Sequence, residues 1–536
     1  MTALATTTIG SRVDTALGRF TMYRLVLWVL AVLAGYSMLL DVLGWLTFGL
    51  PEMIAHLALC LGLAYASNRA LAALFHVRPH SESSLITGLL LYFLFWPSQL
   101  SQGVQLPELA GVALACVLAS ASKYALAWRG RHIFNPAAAG AFLAGLTGLN
   151  IATWWAATPA MLWLVLPGVL LVLYRIRKLL MAAVFTVVAV SLVAAELLRA
   201  GSELGEAVWQ PLAQRPVLFF VGFMLTEPLT LPPRRWQQLA LAAVVGLLFA
   251  IPYNLGFVAN SPELALLVGN LLAFAAGQRG GIRLRFEGLR PLTPTTTEFR
   301  FQPERPVRFS AGQYLELHLP HTKAVGGPDG KGVRRVFSLT SAPGSPVLTI
   351  GVGTAGPLSS AKRTLLALEA GDELTATTVG GDFVLPRNSA APVLLIAAGI
   401  GITPYLAQLA AASARDRDVV LLYLARNAAE LAYAEELERS GARILARLAD
   451  GAVPPAFMQD VGAVAGTAVA GTAVAGTPAA AGRPARLDGA LLKELVPDVG
   501  RREVFVSGSP ASVRSLRAAA RSAGARRIHV DSFAGY

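Results

Sequence analysis

The sequence predicts a polytopic α-helical membrane domain of about ten transmembrane helices, fused to an antiparallel β-barrel and then a doubly wound α/β domain. Three observations predict it. Hydrophobic residues make up 54% of the chain and charged ones only 14%, at a mean hydropathy of +0.55, which is too apolar for an ordinary soluble enzyme. The charge-poor runs fill residues 22 to about 277, whereas charged residues recur regularly after Gly280. From about Arg283 short alternating strands give way to strand–helix repeats. The expected domains are therefore 1–280 in the membrane, 281–388 as the barrel, and 389–536 as the α/β domain with a low-complexity insertion near 455–483.

The formal charge of +13 is spread as arginines beside apolar segments, without a basic run interleaved with aromatics, which points to membrane lipid and away from nucleic acid. Cys60 and Cys116 both fall inside apolar segments and read as buried thiols. Two cysteines cannot supply the four ligands of an iron–sulfur cluster.

Segments near the roughly 20 residues a spanning helix needs fall at 22–47, 52–75, 83–98, 108–127, 136–150, 159–174, 179–198, 212–226, 236–252 and 262–277. The first, preceded by Arg12, Arg19 and Arg24, is read as uncleaved. Alternate connections carry Arg69 and Arg78, then Lys123, Arg129 and Arg131, then Arg175, Arg177 and Lys178, then Arg234 and Arg235. The positive-inside rule places these in the cytoplasm, so both termini and the soluble half are expected on the cytoplasmic side of the inner membrane. Asp41, His56 and Glu196 are the main ionisable groups within spans, too scattered to mark an ion path.

Three stretches break the apolar pattern: SESSLITGLLLYFLFWP (81–97), KYALAWRGRHIFNPAAAG (123–140) and FMLTEPLTLPP (223–233). Asn135–Pro136 and Glu227–Pro228 put proline where a helix would otherwise continue, which frees backbone carbonyls. Such breaks serve either as ligand-lining broken helices or as interfacial turns. In this order and spacing the three stretches resemble the homologous flavin-carrying membrane subunits of sodium-translocating NADH:quinone reductase and of the Rnf electron-transport complex, over about residues 20–277. That resemblance implies ten transmembrane helices and FMN, in many members as a threonine phosphoester. The matching position reads WWAATPAM, making Thr158 the candidate attachment hydroxyl. Ala152 and Trp155 stand where the flavin-transferase motif has aspartate and serine, so non-covalent flavin with Trp154 or Trp155 as a stacking face, or no membrane flavin, stays open. The two tryptophans also suit an interfacial belt.

In the expected barrel, FSAGQYLELHLP (309–320) is followed by RRVFSLTSAP (334–343), GPLSSAKR and GGDFVLP. A flavin needs a cation on its pyrophosphate, an aromatic beside its ring and a small hydroxyl near its reactive nitrogen, and Arg335, Phe337 and Ser338 supply all three within four residues. Leu358, Ser359 and Ser360 open a helix whose amides suit phosphates. Next, APVLLIAAGIGITPYLAQLAAA reads as a buried strand entering a helix through Gly399, Gly401, Thr403 and Pro404, where glycines admit a pyrophosphate. A second strand, VFVSGSP, carries Ser507, Gly508 and Pro510.

Together these elements resemble the ferredoxin–NADP reductase family over about residues 283–536. The resemblance implies FAD in the barrel, NADH or NADPH on the α/β domain, and hydride transfer where they meet. By motif, Arg335, Phe337 and Ser338 bind FAD, and Gly399, Gly401, Thr403, Pro404, Gly508 and Pro510 bind the nicotinamide cofactor. Ser507 stands where the family usually has cysteine beside the nicotinamide. Asp531, Phe533 and Tyr536 match the family's acidic-aromatic ending, with Tyr536 either covering the flavin ring or lying in a solvated tail. Arg426, after the strand VVLLYLA, suits a 2′-phosphate or merely the ribose and adenine, so the choice between NADH and NADPH stays open. The Ala-Val-Gly-Thr repeat between Asp460 and Gly482 reads as a surface loop without chemistry.

The fusion makes an electron path from NAD(P)H into the membrane domain and on to a quinone, another acceptor or further redox subunits the expected function. A haem-type transmembrane ferric reductase is the first rival, and it needs paired histidines within spans; the chain offers His56 in a span and His76, His80 and His132 at edges. A transporter with a nucleotide-sensing half is the second.

Overall fold

The computed structural model describes residues 22–76, 79, 81–99, 103, 105–128, 131–254, 256, 258–277, 281–320, 333–356, 358–411, 417–461 and 487–533. Arg12, Arg19, Arg78, His80, Arg129, Tyr536, and nearly all of the Ala-Val-Gly-Thr repeat lie outside the described residues. The chain divides into two compact units, Met1–Gly281 and Ile282–Tyr536.

The first unit is helical: α1 (Met22–Val42), α2 (Leu50–Leu74), α3 (Ser81–Leu94), α4 (Leu106–Ala125), α5 (Pro136–Gly145), α6 (Pro159–Ile176), α7 (Leu179–Arg199), α8 (Leu204–Ala213), α9 (Val217–Phe220), α10 (Arg235–Ala250) and α11 (Pro262–Ala275). A two-stranded hairpin, β1 (Ala127–Trp128) and β2 (Arg131–His132), links α4 to α5. Among the described residues α1, α2, α4, α6 and α7 are long and apolar enough to cross a membrane, whereas α3, α5, α10 and α11 are shorter apolar helices. Of the short ones, α3 and α5 fall in the sequence's broken stretches and α10 begins just after the third. Asn135 ends the approach to α5 by accepting the Ala138 N–H on its side chain at 3.1 Å, and Pro136 takes the first helical position, where no N–H is needed. α9 runs into a π-turn, Val221–Leu225, whose loosened carbonyls of Val221 and Gly222 accept the Thr226 hydroxyl at 3.0 and 3.3 Å.

The second unit begins with an antiparallel barrel of β3 (Ile282–Thr293), β4 (Thr296–Pro303), β5 (Tyr314–His318), β6 (Arg334–Ser338), β7 (Leu348–Gly353) and β8 (Glu373–Gly380), in the order β6-β5-β8-β3-β4-β7. Just beyond β6, Leu339 bridges Ile350 of β7 and the Thr340 N–H donates to the Thr349 carbonyl at 2.9 Å, joining the two outermost strands of that order. Alternate residues of each strand, among them Phe299, Phe301, Leu315, Leu317 and Ile350, fill the interior, and α12 (Ser360–Leu366) contributes Ala361 and Leu365 to that core. Each such fully buried large side chain contributes about 1.5–3 kcal/mol.

The rest is a parallel sheet of β9 (Val393–Ala398), β10 (Val419–Ala425), β11 (Arg443–Leu448), β12 (Gln459–Asp460), β13 (Glu503–Gly508) and β14 (Arg527–Ser532), in the order β12-β11-β10-β9-β13-β14. Its helices are α13 (Thr403–Ala410), α14 (Ala434–Glu438), α15 (Gly489–Leu495) and α16 (Pro510–Ser522). β9 alternates sides: Val393, Leu395 and Ala397 enter one core while Leu394 and Ile396 enter the other. A strand buried on both faces reads as an unbroken apolar run, as VLLIAA does. Strand order reverses at β9, between β10 and β13, and in open α/β sheets ligands bind beyond the strand ends at that reversal.

Candidate functional site

At this reversal β9 leaves through the turn Gly399–Ile402 directly into α13, with Gly399 at φ +54° and Pro404 in the helix's first turn. Gly401 presses on the neighbouring strand end, so that a Cβ there would overlap the Ser507 carbonyl. The Thr403 hydroxyl donates to the Ile400 carbonyl at 3.1 Å, closing the turn. β13 ends beside it at Gly508; Ser509 caps α16 through the Ser512 N–H at 3.2 Å, with Pro510 at the first helical position. The Phe533 N–H donates to the Gly508 carbonyl at 2.9 Å, bringing the chain's last described residue to the same spot. Two motifs about 100 residues apart thus form one crevice rimmed by two helix starts. The Ser507 hydroxyl in it is fully buried and has no hydrogen-bond partner. That orphaned group, together with the open space beside Gly399, where a Cβ would meet nothing within 4 Å, fits a dinucleotide lying across the strand ends. Arg426 stands at the end of β10, exposed, 3.8 Å from Glu430.

In the barrel, Arg335 is 1% exposed on β6 and donates to the Arg334 carbonyl at 2.8 Å. Ser338, buried, faces Tyr314 of β5 in register, and Tyr314 packs against Gly380 and Gly381. Gln313 locks this corner, accepting the Ser310 N–H at 2.7 Å and donating to the Gly381 carbonyl at 3.0 Å. Phe337 packs on the same core as α12, which Leu358, Ser359 and Ser360 open: Ser359 accepts the Lys362 N–H, and Arg363 folds back onto the Leu358 carbonyl at 2.8 Å. A buried cation, an aromatic, a hydroxyl and a helix start in one barrel fit a flavin dinucleotide.

The barrel and the nucleotide sheet meet through α13. Gln408 donates to the Phe383 carbonyl at 2.6 Å, and Thr403 and Tyr433 lie side by side against the bare backbone of Gly351 on β7. Gln408 and Tyr433 belong to no motif, and only their burial in the folded chain reveals them. Burial pushes the phenols of Tyr405 and Tyr433 well above their usual range, so both stay neutral.

In the helical unit all three broken stretches line one cavity. Ser83 and Thr87 of α3, Asn135, Thr226 and Glu227 form its polar side, and Val26, Leu90 and Phe223 are among its apolar side. The cavity is about 40 Å³, room for water. Glu227 accepts from the Asn135 amide at 2.8 Å and lies 3.1 Å from His132 Nε2, while Asn135 N–H donates to Asn270 at 2.8 Å. Arg131, read above as a connection charge, is buried and donates to the Leu229 carbonyl. Asp41 accepts the Phe48 and Gly49 N–H groups, and His56 is buried against Tyr92, with ring centroids 5.5 Å apart.

Trp154 and Trp155 correct the sequence reading: both are buried, neither an interfacial belt nor an open stacking face. Their indole N–H groups donate to Glu263 at 2.6 Å and to the Tyr92 carbonyl at 2.8 Å, and their rings are taken up by Phe219, Phe220, Phe48 and Phe93. Thr158 heads α6 without capping it; its hydroxyl is buried, lacks a partner and shares a small hollow of about 10 Å³ with Arg215.

Over 159 residues the chain is 33% identical to ferredoxin–NADP reductase B of Sorangium cellulosum, covering 29% of this chain and 62% of the relative. The flavohemoprotein of Pseudomonas aeruginosa matches at 34% over 167 residues, 30% of this chain and 40% of the relative. The C-terminal half resembles the ferredoxin–NADP reductase family. The reductase component of propane 2-monooxygenase from Rhodococcus jostii matches this reductase-like half more broadly, at 26% over 248 residues, 43% of this chain and 57% of the relative. The chain thus spans 40 to 62% of the length of these curated relatives. Among solved structures, the cytochrome P450 reductase GcoB of Amycolatopsis shares 25% identity at a TM-score of 0.36, covering 47% of this chain and 69% of that chain. A Neisseria gonorrhoeae ferredoxin NADP+ reductase shares 17% at 0.37, covering 47% and 98%. No family model matches the chain.

Proposed function

We propose that the protein is a membrane-bound NAD(P)H-oxidising flavoprotein that moves electrons from NAD(P)H through FAD into its helical unit and on to a quinone or another acceptor. The observation that carries this is the crevice at the sheet's reversal, where the Gly399–Thr403 turn and Ser507–Pro510 converge in the same unit as a barrel bearing Arg335, Phe337 and Ser338. Bound FAD supplies a two-electron acceptor able to release electrons singly. The chain's own residues bind and orient: Gly399 and Gly401 admit the pyrophosphate, the start of α13 offers it N–H groups, and the Ser507 hydroxyl meets the nicotinamide end. Arg335 neutralises the flavin pyrophosphate, with Leu358, Ser359 and Ser360 opposite it. Phe337 flanks the ring, and Ser338 donates at its reactive edge. Phe533 is docked on Gly508 at the same strand end, and Tyr536 is the candidate to cover the ring. Arg426 reads the adenosine end of NADH or NADPH.

The five spanning-length helices and the four shorter apolar ones support residence in the inner membrane, with the catalytic half cytoplasmic. The likeness of residues 20–277 to the membrane subunits of sodium-translocating NADH:quinone reductase and the Rnf complex supports an FMN there. Thr158 and Arg215 would hold its phosphate, as attachment hydroxyl and counter-charge, and the hollow's size requires the ring to extend beyond it. Turnover of NADH and NADPH by the full chain in detergent, with ferricyanide or a quinone analogue as oxidant, tests the proposal. Flavin absorbance with negligible turnover would favour a nucleotide-sensing transporter. Mass analysis of denatured protein shows whether Thr158 carries a flavin.

A further inference from the structure

The loop after β10 carries a backbone conformation that bulky side chains rarely adopt: Tyr433 sits at φ 64°, ψ 31°. It is held there from two sides. The Ala432 N–H donates to the buried Tyr423 hydroxyl at 3.2 Å, and the Tyr433 ring runs into the barrel, where its hydroxyl faces Glu298 and Thr340. A Cβ on Gly351 would stand 2.6 Å from that hydroxyl and 2.7 Å from the Thr403 methyl, so Tyr433 and the turn that starts α13 wedge together against the bare backbone of strand β7. Directly beside the wedge, Glu298 of β4, side chain 7% exposed, lies 3.3 Å from Arg290 of β3. Arg290 Nη2 also reaches Glu436 of α14 at 2.5 Å. One guanidinium therefore ties two barrel strands to the helix that follows Tyr433. A strained residue over-determined by its surroundings, next to a binding turn, is the pattern expected of positioning machinery.

We propose that the Glu298–Arg290–Glu436 clasp and the Tyr433 wedge set the distance and angle between the nicotinamide crevice and the barrel's flavin strand. They are positioning residues, acting through Gly351 and Thr403 without touching either cofactor. The inference rests on the hydride-transfer reading above. Its physical basis is that donor and acceptor atoms react only in near-contact geometry, so a displacement of about 1 Å costs up to roughly 100-fold in rate, while most groups that bind the nucleotide stay in place.

The test is rapid-mixing reduction of FAD by NADH in the full chain in detergent, with thermal unfolding in parallel, on Arg290→Ala, Tyr433→Phe, Glu436→Gln and the charge-conserving Arg290→Lys. The limiting reduction rate is expected to fall roughly 10- to 100-fold in Arg290→Ala and less in the two milder variants, with nucleotide Kd changed less than about threefold. The deuterium isotope effect should rise as hydride transfer becomes fully rate-limiting, and Arg290→Lys, which keeps a cation between Glu298 and Glu436, should retain part of the rate. Arg439→Ala, which removes an exposed ion pair with Glu435 and a hydrogen bond to its carbonyl at the end of α14, should leave the rate unchanged. Variants that lose thermal stability yet reduce flavin at the unaltered rate, or that weaken nucleotide binding with the limiting rate intact, overturn the inference alone. Absence of flavin reduction in the unaltered chain overturns the hydride-transfer reading along with it.

Discussion

In the parallel sheet, Gly401 and Ser507 meet because two strands end side by side, whereas in the helical unit Asn135, Thr226 and Glu227 meet because helices stop short. The first kind of site is imposed by topology: any doubly wound sheet has a crevice where its order reverses, and the chain needs only glycines and helix starts to use it. The second kind has no such guarantee. A broken helix leaves carbonyls that must be satisfied by neighbours, as Thr226 does for Val221 and Gly222 and Arg131 for Leu229, before the remaining polar groups are free for anything else. The sheet crevice therefore leaves a hydroxyl, that of Ser507, without a partner, while the helix-break cluster is tied together.

Substitutions that break this contrast should differ in kind. The largest effect is expected at Gly401. Gly401→Val forces a side chain into the Ser507 carbonyl and should lower NAD(P)H-dependent flavin reduction about 100-fold or more, with FAD still bound in the barrel, as read by rapid mixing and flavin content. Glu227→Ala, by contrast, strips His132 and Asn135 of a shared acceptor, in a cluster where the Glu227 and His132 side chains are only 14% and 12% exposed. It should cost the helical unit about 2–3 kcal/mol, seen as a lower Tm in detergent, with NADH:ferricyanide turnover retained. Full loss of that turnover would show that the cluster is catalytic and dissolve the distinction.

A smaller effect concerns pH. The Arg502 guanidinium, 2.8 Å from Asp498, holds that carboxyl below its usual range. A depressed folded-state pKa means the pair's contribution is complete above the ordinary aspartate value of about 3.9 and is lost as pH falls through the lower folded value. Asp498→Asn should flatten the acid limb of the C-terminal unit's unfolding curve and leave neutral stability lower. The smallest effect is expected at Thr158. Because its hydroxyl is buried without a partner, Thr158→Val should be neutral or slightly stabilising. A flavin mass present in the unaltered chain and absent from the variant sharpens the assignment; the same mass in both removes it.

Much of the C-terminal unit is legible in the sequence because its signals are local. An unbroken apolar run followed by glycines and a proline can only be a buried strand turning into a helix, and RVFS places a cation, a ring and a hydroxyl within one strand. Ten apolar segments are legible for the same reason, and each holds a helix, although among the described residues only five helices have spanning length. The two tryptophans mislead because a belt residue and a core residue look alike until Phe48, Phe93, Phe219 and Phe220 are seen around them.

Periodicity, turn chemistry and the spacing of glycine and proline, which act within about ten residues, determined the strands, the helices and the two motif-bearing turns. The tertiary structure alone decided that Ser507 lies against Gly401, that one cavity collects three broken stretches, and that Arg290 reaches Glu436, 146 residues further along the chain. Those contacts depend on strand order and on the close packing of distant surfaces, and no local pattern of residues encodes either.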